Sequence, residues 1–243
     1  MKGTTPAGTG DEREAAAWVR SMFARLTPRY DLANHVLSFQ IDRWWRRHTV
    51  RRVREVLRRP GACVLDLCCG TGDLMAALER ARGAGVLGSD FCHPMLMAAR
   101  DKIARRGLRS RVFEADALAL PLRDGSLDLV TVAFGFRNLA NYERGLREMR
   151  RVLRPGGMVA ILEFSQPRNQ LFAAVYGFYS GRILPAIGRA LTGDPEAYAY
   201  LPESVRKFPP AEELSEEMRR AGFAAVEFER MTGGAVALHI GRV

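Results

Sequence analysis

Apolar positions divide the chain into two regimes. Between about Glu12 and Arg59 they recur at helical spacing: Val19, Met22, Phe23 and Leu26 form one run, Pro28 breaks it, and Leu32, Val36, Leu37, Trp44 and Trp45 resume it. This spacing predicts a helical N-terminal cap over 11–59. From Gly61 the rhythm shortens, and apolar runs at 62–67, 85–90, 111–116, 127–134 and 158–164 alternate with helical patterns at 73–81, 93–106 and 142–153. Such alternation predicts βα units that build a parallel sheet. Arg154-Pro155-Gly156-Gly157 reads as a turn that ends a helix and launches a strand. The chain closes with a helical pattern at 210–222 and two strand-like runs, 224–231 and 235–241, separated by Thr232-Gly233-Gly234, which are close enough to pair antiparallel at one edge of the sheet.

Two segments stand outside this pattern. Residues 1–10 are polar and glycine-containing and read as a loose tail. Within 165–208, the stretch 171–193 is rich in Phe, Tyr, Leu and Ile yet interrupted by Gly177, Gly181, Arg182 and Pro185. A plain core helix has no use for those breaks, so the segment reads either as an adjustable apolar lid over a substrate pocket or as ordinary helix packing.

Composition narrows the class. A chain of 243 residues suits one large α/β domain spanning 1–243, and its 47% hydrophobic and 26% charged residues are those of a soluble globular protein. No apolar run reaches the ~18 residues needed to span a bilayer. The N-terminus shows no apolar core of signal-peptide type, so the chain is expected to stay in the cytoplasm. Cys63, Cys68, Cys69 and Cys92 form no CxxC pair, so they read as small buried residues and not as a metal or redox centre.

The net charge is +10, yet lysine occurs only at Lys2, Lys102 and Lys207, so 34 of the 37 basic residues are arginine. Position says more than the total. Arg43, Arg46, Arg47, Arg51, Arg52, Arg54, Arg58 and Arg59 share one helical stretch with Trp44 and Trp45, a surface suited to anionic lipid headgroups or nucleic acid, or simply a solvated helix face.

The strongest chemical signal follows the first predicted strand. Val64 to Asp73 runs from a strand through Gly70-Thr71-Gly72 into a helix, where glycines let the backbone approach a ligand and the helix start offers free N–H groups. A dinucleotide fingerprint would need a third small residue where Met75 stands. Asp90 ends the second strand, where a carboxylate can accept ribose hydroxyls, and Asp116 with Ala117 follows the third. Acids after three successive strands, with a glycine turn after the first, resemble the class I S-adenosylmethionine-dependent methyltransferases. That resemblance implies a Rossmann-like fold: a mostly parallel seven-stranded sheet with an antiparallel edge hairpin. It also implies that Asp66, Gly70, Thr71 and Gly72 hold the methionine part of the cofactor, Asp90 the ribose, and Asp116 with Ala117 the adenine.

Segments across the chain, from Val19 to Gly241, narrow the family. The stretch 19–47, VLDLCCGTGDL at 64–74, AFGFRNL at 133–139, RVLRPGGMVAILEFSQP at 151–167, and 200–223 with TGGAVALHIG together resemble the menaquinone and ubiquinone biosynthesis C-methyltransferases. The resemblance implies methyl transfer from S-adenosylmethionine to a ring carbon of demethylmenaquinol, or to a polyprenyl-methoxy-benzoquinol in members serving the ubiquinone branch. One departure is Ala133, where many members carry a serine near the cofactor.

A quinol carbon becomes nucleophilic when a ring hydroxyl loses its proton, so the site needs a base or a group that stabilises the phenolate. Gly135-Phe136-Arg137-Asn138 follows the fourth strand at the cofactor edge. Arg137 is therefore expected to stabilise the ring oxyanion or to form a structural ion pair, Asn138 to orient a ring oxygen or water, and Phe136 to stack on the ring. Tyr30, Asp31 and His35 are candidates to complete the pocket and relay the proton. The prenylated quinol is the expected partner, with peripheral contact at an anionic membrane; a homodimer is compatible with the sequence.

Two other classes were weighed. A nucleic-acid methyltransferase would carry a proline-aromatic motif or a nucleophilic cysteine after the fourth strand, and AFGFRN supplies neither. A non-catalytic quinone-binding protein could share the fold, but the intact Asp66, Gly70, Gly72 and Asp90 set argues against it.

Overall fold

The computed structural model describes residues 3–169, 173–174, 177–183, 186–189 and 193–243. Four helices form the N-terminal cap. Helix α1 (Glu12–Leu26) starts where the Asp11 side chain accepts the Glu14 N–H, with acids in its first turn that suit the helix dipole. After a turn through Pro28 come α2 (Tyr30–Leu37), α3 (Ile41–Arg52) and α4 (Arg54–Leu57). Phe39 and Gln40, between α2 and α3, both have positive φ, of 50° and 63°. Strained left-handed backbone at two successive non-glycine residues persists only where packing holds it.

The sheet holds β1 (Val64–Leu67), β2 (Leu87–Asp90), β3 (Arg111–Glu114), β4 (Leu127–Ala133), β5 (Leu153–Phe164), β6 (Ala225–Met231) and β7 (Val236–Arg242). Its order is β3-β2-β1-β4-β5-β7-β6. All neighbours are parallel up to β5, and β7 runs antiparallel to both β5 and β6, as the expected edge hairpin requires. The Arg154–Gly157 turn lies inside β5 as an irregularity: Leu153 pairs with Leu127, and pairing resumes at Met158 opposite Leu129.

Strand alternation supplies two cores. On one face Val130, Val132, Val159 and Ile161 pack with α7 (Tyr142–Val152) and α9 (Ala211–Arg220) through Leu146, Met149, Leu214 and Met218. On the other, Leu129, Ala160, Leu162 and Leu238 meet α3 to α5 (Asp73–Arg82) through Val53, Leu74 and Leu78. Helix α6 (His93–Arg105) connects β2 to β3, and α8 (Pro195–Lys207) packs on the cap through Ala197 and Tyr198, against Val19 and Met22.

Two expectations need correction. The start of the chain is anchored at Thr4, although Thr5, Ala7, Gly8 and Gly10 are exposed: Thr4 is buried, its N–H donates to the Leu139 carbonyl at 2.8 Å, and its hydroxyl shares a 2.7 Å hydrogen bond with Tyr200. Cys63 is exposed, while Cys69 and Cys92 are buried. Of the apolar insertion, residues 170–172, 175–176, 184–185 and 190–192, Pro185 among them, lie outside the described residues. Its described part includes a π-turn at Tyr179–Ile183 whose Tyr179 hydroxyl donates to the Leu37 carbonyl at 2.6 Å. Among the described residues, no helix is long and apolar enough to cross a membrane.

Candidate active site

Strand order reverses between β1 and β4, and there the two chain turns diverge and open a crevice at their carboxyl ends. Both turns are strained at a non-glycine residue, Cys68 with φ 52° and Phe134 with φ 61°. They also touch: a Cβ on Gly135 would lie 2.4 Å from the Cys68 Cβ, so only glycine lets them close on one another.

The cofactor side is assembled from this edge. Gly70 and Gly72 are left-handed, with φ 53° and 85°, which turns β1 into α5. Asp90 Oδ2 accepts the Gly70 N–H and its Oδ1 the Cys92 N–H, both at 2.9 Å. Burial raises the Asp90 pKa, with these backbone donors acting against the rise. Asp90, Asp116, Ala117, Gly70, Phe91 and Asn138 line one cavity along the edge. Asp116 stands exposed at its rim, two residues beyond the end of β3, with Oδ1 accepting the Leu118 N–H at 2.9 Å.

A narrower recess continues from Gly70 to Asp66, Thr71, Asp73 and Arg46. Asp66 is fully buried, and its Oδ1 accepts the Thr131 hydroxyl at 2.7 Å. Its Oδ2 has no hydrogen-bond partner among the described residues. Burial pushes its pKa up to about 7, against the pull of Thr131 and Arg46. A half-satisfied buried carboxylate of this kind costs free energy unless a donor or cation completes it.

The acceptor side is a second cavity of about 420 Å³, lined by Phe134, Phe164, Trp45, Tyr30, Tyr198 and Arg137. Tyr30 borders all three spaces, and its ring edge would be 3.9 Å from a Cβ placed on Gly70. It therefore stands at the junction of the cofactor side and the acceptor side. Burial raises its pKa, with the Asn34 side chain and the Arg137 and Arg46 charges partly opposing, so at neutral pH it is a phenol that donates.

Arg137 forms the structural ion pair that the sequence allowed. Its Nη1 donates to Glu163 Oε1 at 2.9 Å and to the Phe134 carbonyl at 2.6 Å, and its Nε to Ser204 Oγ at 3.3 Å. Burial disfavours its charge, but Glu163, Tyr200 and Tyr30 outweigh that and raise its pKa, so it stays cationic. Nη2 makes no hydrogen bond among the described residues, and the guanidinium lies 5.1 Å from the centre of the Phe164 ring in the cavity wall.

Other sequence candidates land elsewhere. Phe136 does not reach either cavity; it is fully buried in the core, stacked 5.4 Å from Tyr142. Asn138 faces the cofactor cavity, its Oδ1 accepting the Tyr200 hydroxyl at 2.9 Å. The carboxylates of Asp31 and the hydroxyl of Thr71 are spent on each other, at 2.5 Å, and on Lys102. His35 is held between Asp42, at 2.9 Å, and Asp73, at 3.7 Å.

Sequence reading missed Arg46, Phe134, Phe164 and Tyr200 as site residues. Arg46 was counted in the basic helix face, yet its side chain is only 12% exposed and turns inward onto Asp42, with its guanidinium 5.5 Å from the Phe134 ring centre. The one available signal was its phase: three residues before buried Thr49, and next to buried Trp45, it falls on the inner side of α3.

Comparison with known proteins decides the family. A profile of the ubiE/COQ5 methyltransferase family matches residues 9–243. The chain belongs to this family. It is 51% identical to a demethylmenaquinone methyltransferase of Thermus thermophilus over 90% of this chain and 99% of that protein. It is 46% identical to one from Deinococcus radiodurans, over 96% and 95%, and 41% identical to a ubiquinone/menaquinone biosynthesis C-methyltransferase of Shewanella frigidimarina, over 96% and 93%. Among solved structures, the [4+2]-cyclase SpnF has a TM-score of 0.70 at 17% identity over 98% of both chains. A SAM-dependent methyltransferase from Aquifex aeolicus has a TM-score of 0.58 at 21% identity, over 79% of this chain and 88% of that one. These likenesses establish the class I methyltransferase fold, and a cyclase among them is a reminder that the reaction must be argued from the site.

The methyl donor of this ubiE/COQ5 member is S-adenosylmethionine, and the residues present fit it. The glycine turn admits close backbone approach, Asp90 offers a carboxylate in the cavity wall, and Asp66, whose Oδ2 has no partner among the described residues, borders the recess where a cationic amino group would satisfy it.

Proposed function

We propose that this protein transfers a methyl group from S-adenosylmethionine to a ring carbon of demethylmenaquinol, giving menaquinol. The observation that carries this reading is Tyr30, standing where a mostly apolar 420 Å³ cavity meets the glycine turn. The names of the relatives from Thermus thermophilus and Deinococcus radiodurans favour the naphthoquinol over a benzoquinol.

The cofactor supplies an activated methyl group, so the protein's task is to align the acceptor and exclude water. In this reading Gly70, Thr71 and Gly72 hold the methionine part through backbone groups, with Asp66 on its amino group and Arg46 on its carboxylate. Asp90 takes the ribose hydroxyls, and Asp116 with Ala117 the adenine. The free Nη2 edge of Arg137 and the Tyr30 hydroxyl donate to a ring oxygen as it becomes an oxyanion; both hold their protons at neutral pH and stabilise charge, neither taking the ring proton. Asn138 acts through Tyr200. The carbon–methyl bond forms as the methyl–sulfur bond breaks; the ring carbon then gives up its hydrogen as a proton that returns to the ring oxygen, aromaticity is restored, and the hydroxyl proton lost at the start passes to solvent, one proton released per methyl transferred. Phe134, Phe164 and Trp45 pack the ring, and the described part of 165–208 covers the cavity as a lid through Tyr179, Tyr198, Tyr200 and Leu201.

The finer reading puts the enzyme in the cytoplasm at the inner face of the cell membrane. The large apolar side chains left exposed, Leu32, Val36, Phe39, Trp44, Phe178 and Ile183 among them, lie on α2, α3, the turn between them, or the lid. Arg43 and Arg47 stand on α3 beside Trp44, with no ion pair among the described residues. Apolar contact beside cationic residues at the cavity mouth suits an anionic lipid surface that holds a prenylated substrate.

Incubation with labelled cofactor and each demethylated quinol in turn, followed by mass analysis of the lipid, tests the function. Label in the naphthoquinol ring supports it; label only in a benzoquinol, or in neither, contradicts it.

A further inference from the structure

Lysine is rare in this chain, and Lys102 is deeply buried, at 7% exposure, in the last turn of α6. Its ammonium donates to Asp73 Oδ1 at 2.7 Å and the Thr71 hydroxyl at 3.2 Å, and forms an ion pair with Asp31 Oδ2 at 2.6 Å. Three oxygens thus gather around its single charge. Those partners come from three different places: Asp31 from cap helix α2, Thr71 from the cofactor turn, and Asp73 from the first residue of α5. Thr71 closes the set by donating to Asp31 Oδ1 at 2.5 Å.

The network does not stop there. Burial works against a charge on Asp73, but Lys102, Arg46 and His35 outweigh it and hold its carboxyl below the usual range. Asp73 also faces His35 Nε2 at 3.7 Å, His35 Nδ1 meets Asp42 Oδ2 at 2.9 Å, and Asp42 pairs with Arg46. A continuous, partly buried polar chain therefore links α6, behind the cofactor turn, to α2 and α3 in the cap. Asp31 directly follows Tyr30, so fixing Asp31 fixes the residue at the junction of cofactor and acceptor.

We propose that Lys102 is a positioning residue that locks the cap helix α2 to the cofactor turn, so that cofactor binding and completion of the acceptor cavity are thermodynamically coupled. An arginine, with its longer planar fork, does not match three oxygens gathered around a single point, which accounts for a lysine here in an arginine-rich chain. Removing the ammonium leaves two carboxylates facing each other with no cation, and α2 is the partner free to move, because the Asp31 side chain is 38% exposed and that of Asp73 20%. Coupling is reciprocal: whatever the cofactor contributes to ordering α2, an ordered α2 returns as cofactor affinity.

The inference rests on S-adenosylmethionine occupying the Gly70–Gly72 turn, and not on which quinol is methylated. The test is amide hydrogen exchange on the full chain with and without S-adenosylhomocysteine, in wild type, Lys102→Met and Asp31→Asn. Asp31→Asn leaves Lys102 paired with Asp73 and guards against a Lys102→Met chain that fails to fold. In wild type the ligand is expected to raise protection of the α2 amides about tenfold. In both variants that gain should fall to twofold or less while amides of 68–73 keep theirs. Calorimetry on the same samples reports ligand binding directly, so lost coupling is distinguished from a lost cofactor site. Combining the two substitutions should cost no more coupling than the worse single one. Undiminished ligand-dependent protection of α2 in Asp31→Asn, or strictly additive losses in the double variant, would overturn the proposal.

Discussion

The two halves of the site are built in opposite ways. The cofactor half comes from backbone: two glycines, strained turns at Cys68 and Phe134, and carboxylates at successive strand ends, all at one edge of the sheet. The acceptor half comes from side chains that α2, α3, the ends of β4 and β5, and α8 bring together across some 170 residues of sequence. A backbone-built half tolerates little change in shape, whereas a side-chain half can be retuned residue by residue.

Substitution at the contact between the two turns should separate these behaviours most strongly. Gly135→Val places side-chain atoms where the Cys68 Cβ already stands, at 2.4 Å from the first added carbon. Cofactor affinity measured by calorimetry is expected to fall about a hundredfold or more, as overpacking forces the β1 turn open. Retained affinity would mean that the turns are not held against one another.

Arg137→Ala should show the reverse signature, lowering kcat by roughly 10²- to 10³-fold, as loss of an oxyanion donor does. Cofactor affinity should stay within about threefold, because Arg137 lines only the acceptor cavity. The variant also leaves Glu163 buried beside a missing cation, so its melting temperature should drop. Adding Glu163→Ala should restore stability without restoring turnover. Equal loss of cofactor affinity and turnover would remove Arg137 from the acceptor role.

A pH effect distinguishes the halves more gently. The Asp66 carboxyl is raised to about 7 in the folded protein, so between the unfolded value near 4 and about 7 the folded state binds the extra proton. Stability of the ligand-free protein should therefore fall as pH rises through that window, by at most ~1.4 kcal/mol per pH unit. Cofactor affinity should rise over the same window as the carboxylate forms and pairs with the amino group. Asp66→Asn should flatten both profiles; unchanged slopes would show that Asp66 does not titrate with the site.

The smallest expected effect lies at the cavity mouth. Phe39→Ser with Arg43→Ser and Arg47→Ser should weaken flotation with anionic liposomes several-fold and leave neutral liposomes unaffected. Indifference to lipid charge in the wild type would count against membrane docking.

Legibility in the sequence followed the same division. The glycine turn, Asp66, Asp90 and the parallel sheet were readable because each is local: a strand, its turn and the next helix lie within about a dozen residues. The edge hairpin was readable for the same reason. Phe136 was misplaced because the single turn after β4 points successive aromatic residues to opposite sides, sending Phe134 to the cavity and Phe136 to the core. Asp31 looked like a proton acceptor because nothing in its neighbourhood along the chain announced Lys102, which lies 71 positions away. The packed start at Thr4 depends on Leu139 and Tyr200, contacts that no local pattern encodes.

The most direct check is a crystal structure of the protein with S-adenosylhomocysteine and a short-chain naphthoquinol bound together. The ring should lie between Phe134 and Phe164 with an oxygen within hydrogen-bond reach of Arg137 and Tyr30, and the sulfur should sit beside the Gly70 turn facing the ring carbon. A nucleoside bound away from Asp90, or a quinol bound outside this cavity, would contradict the account.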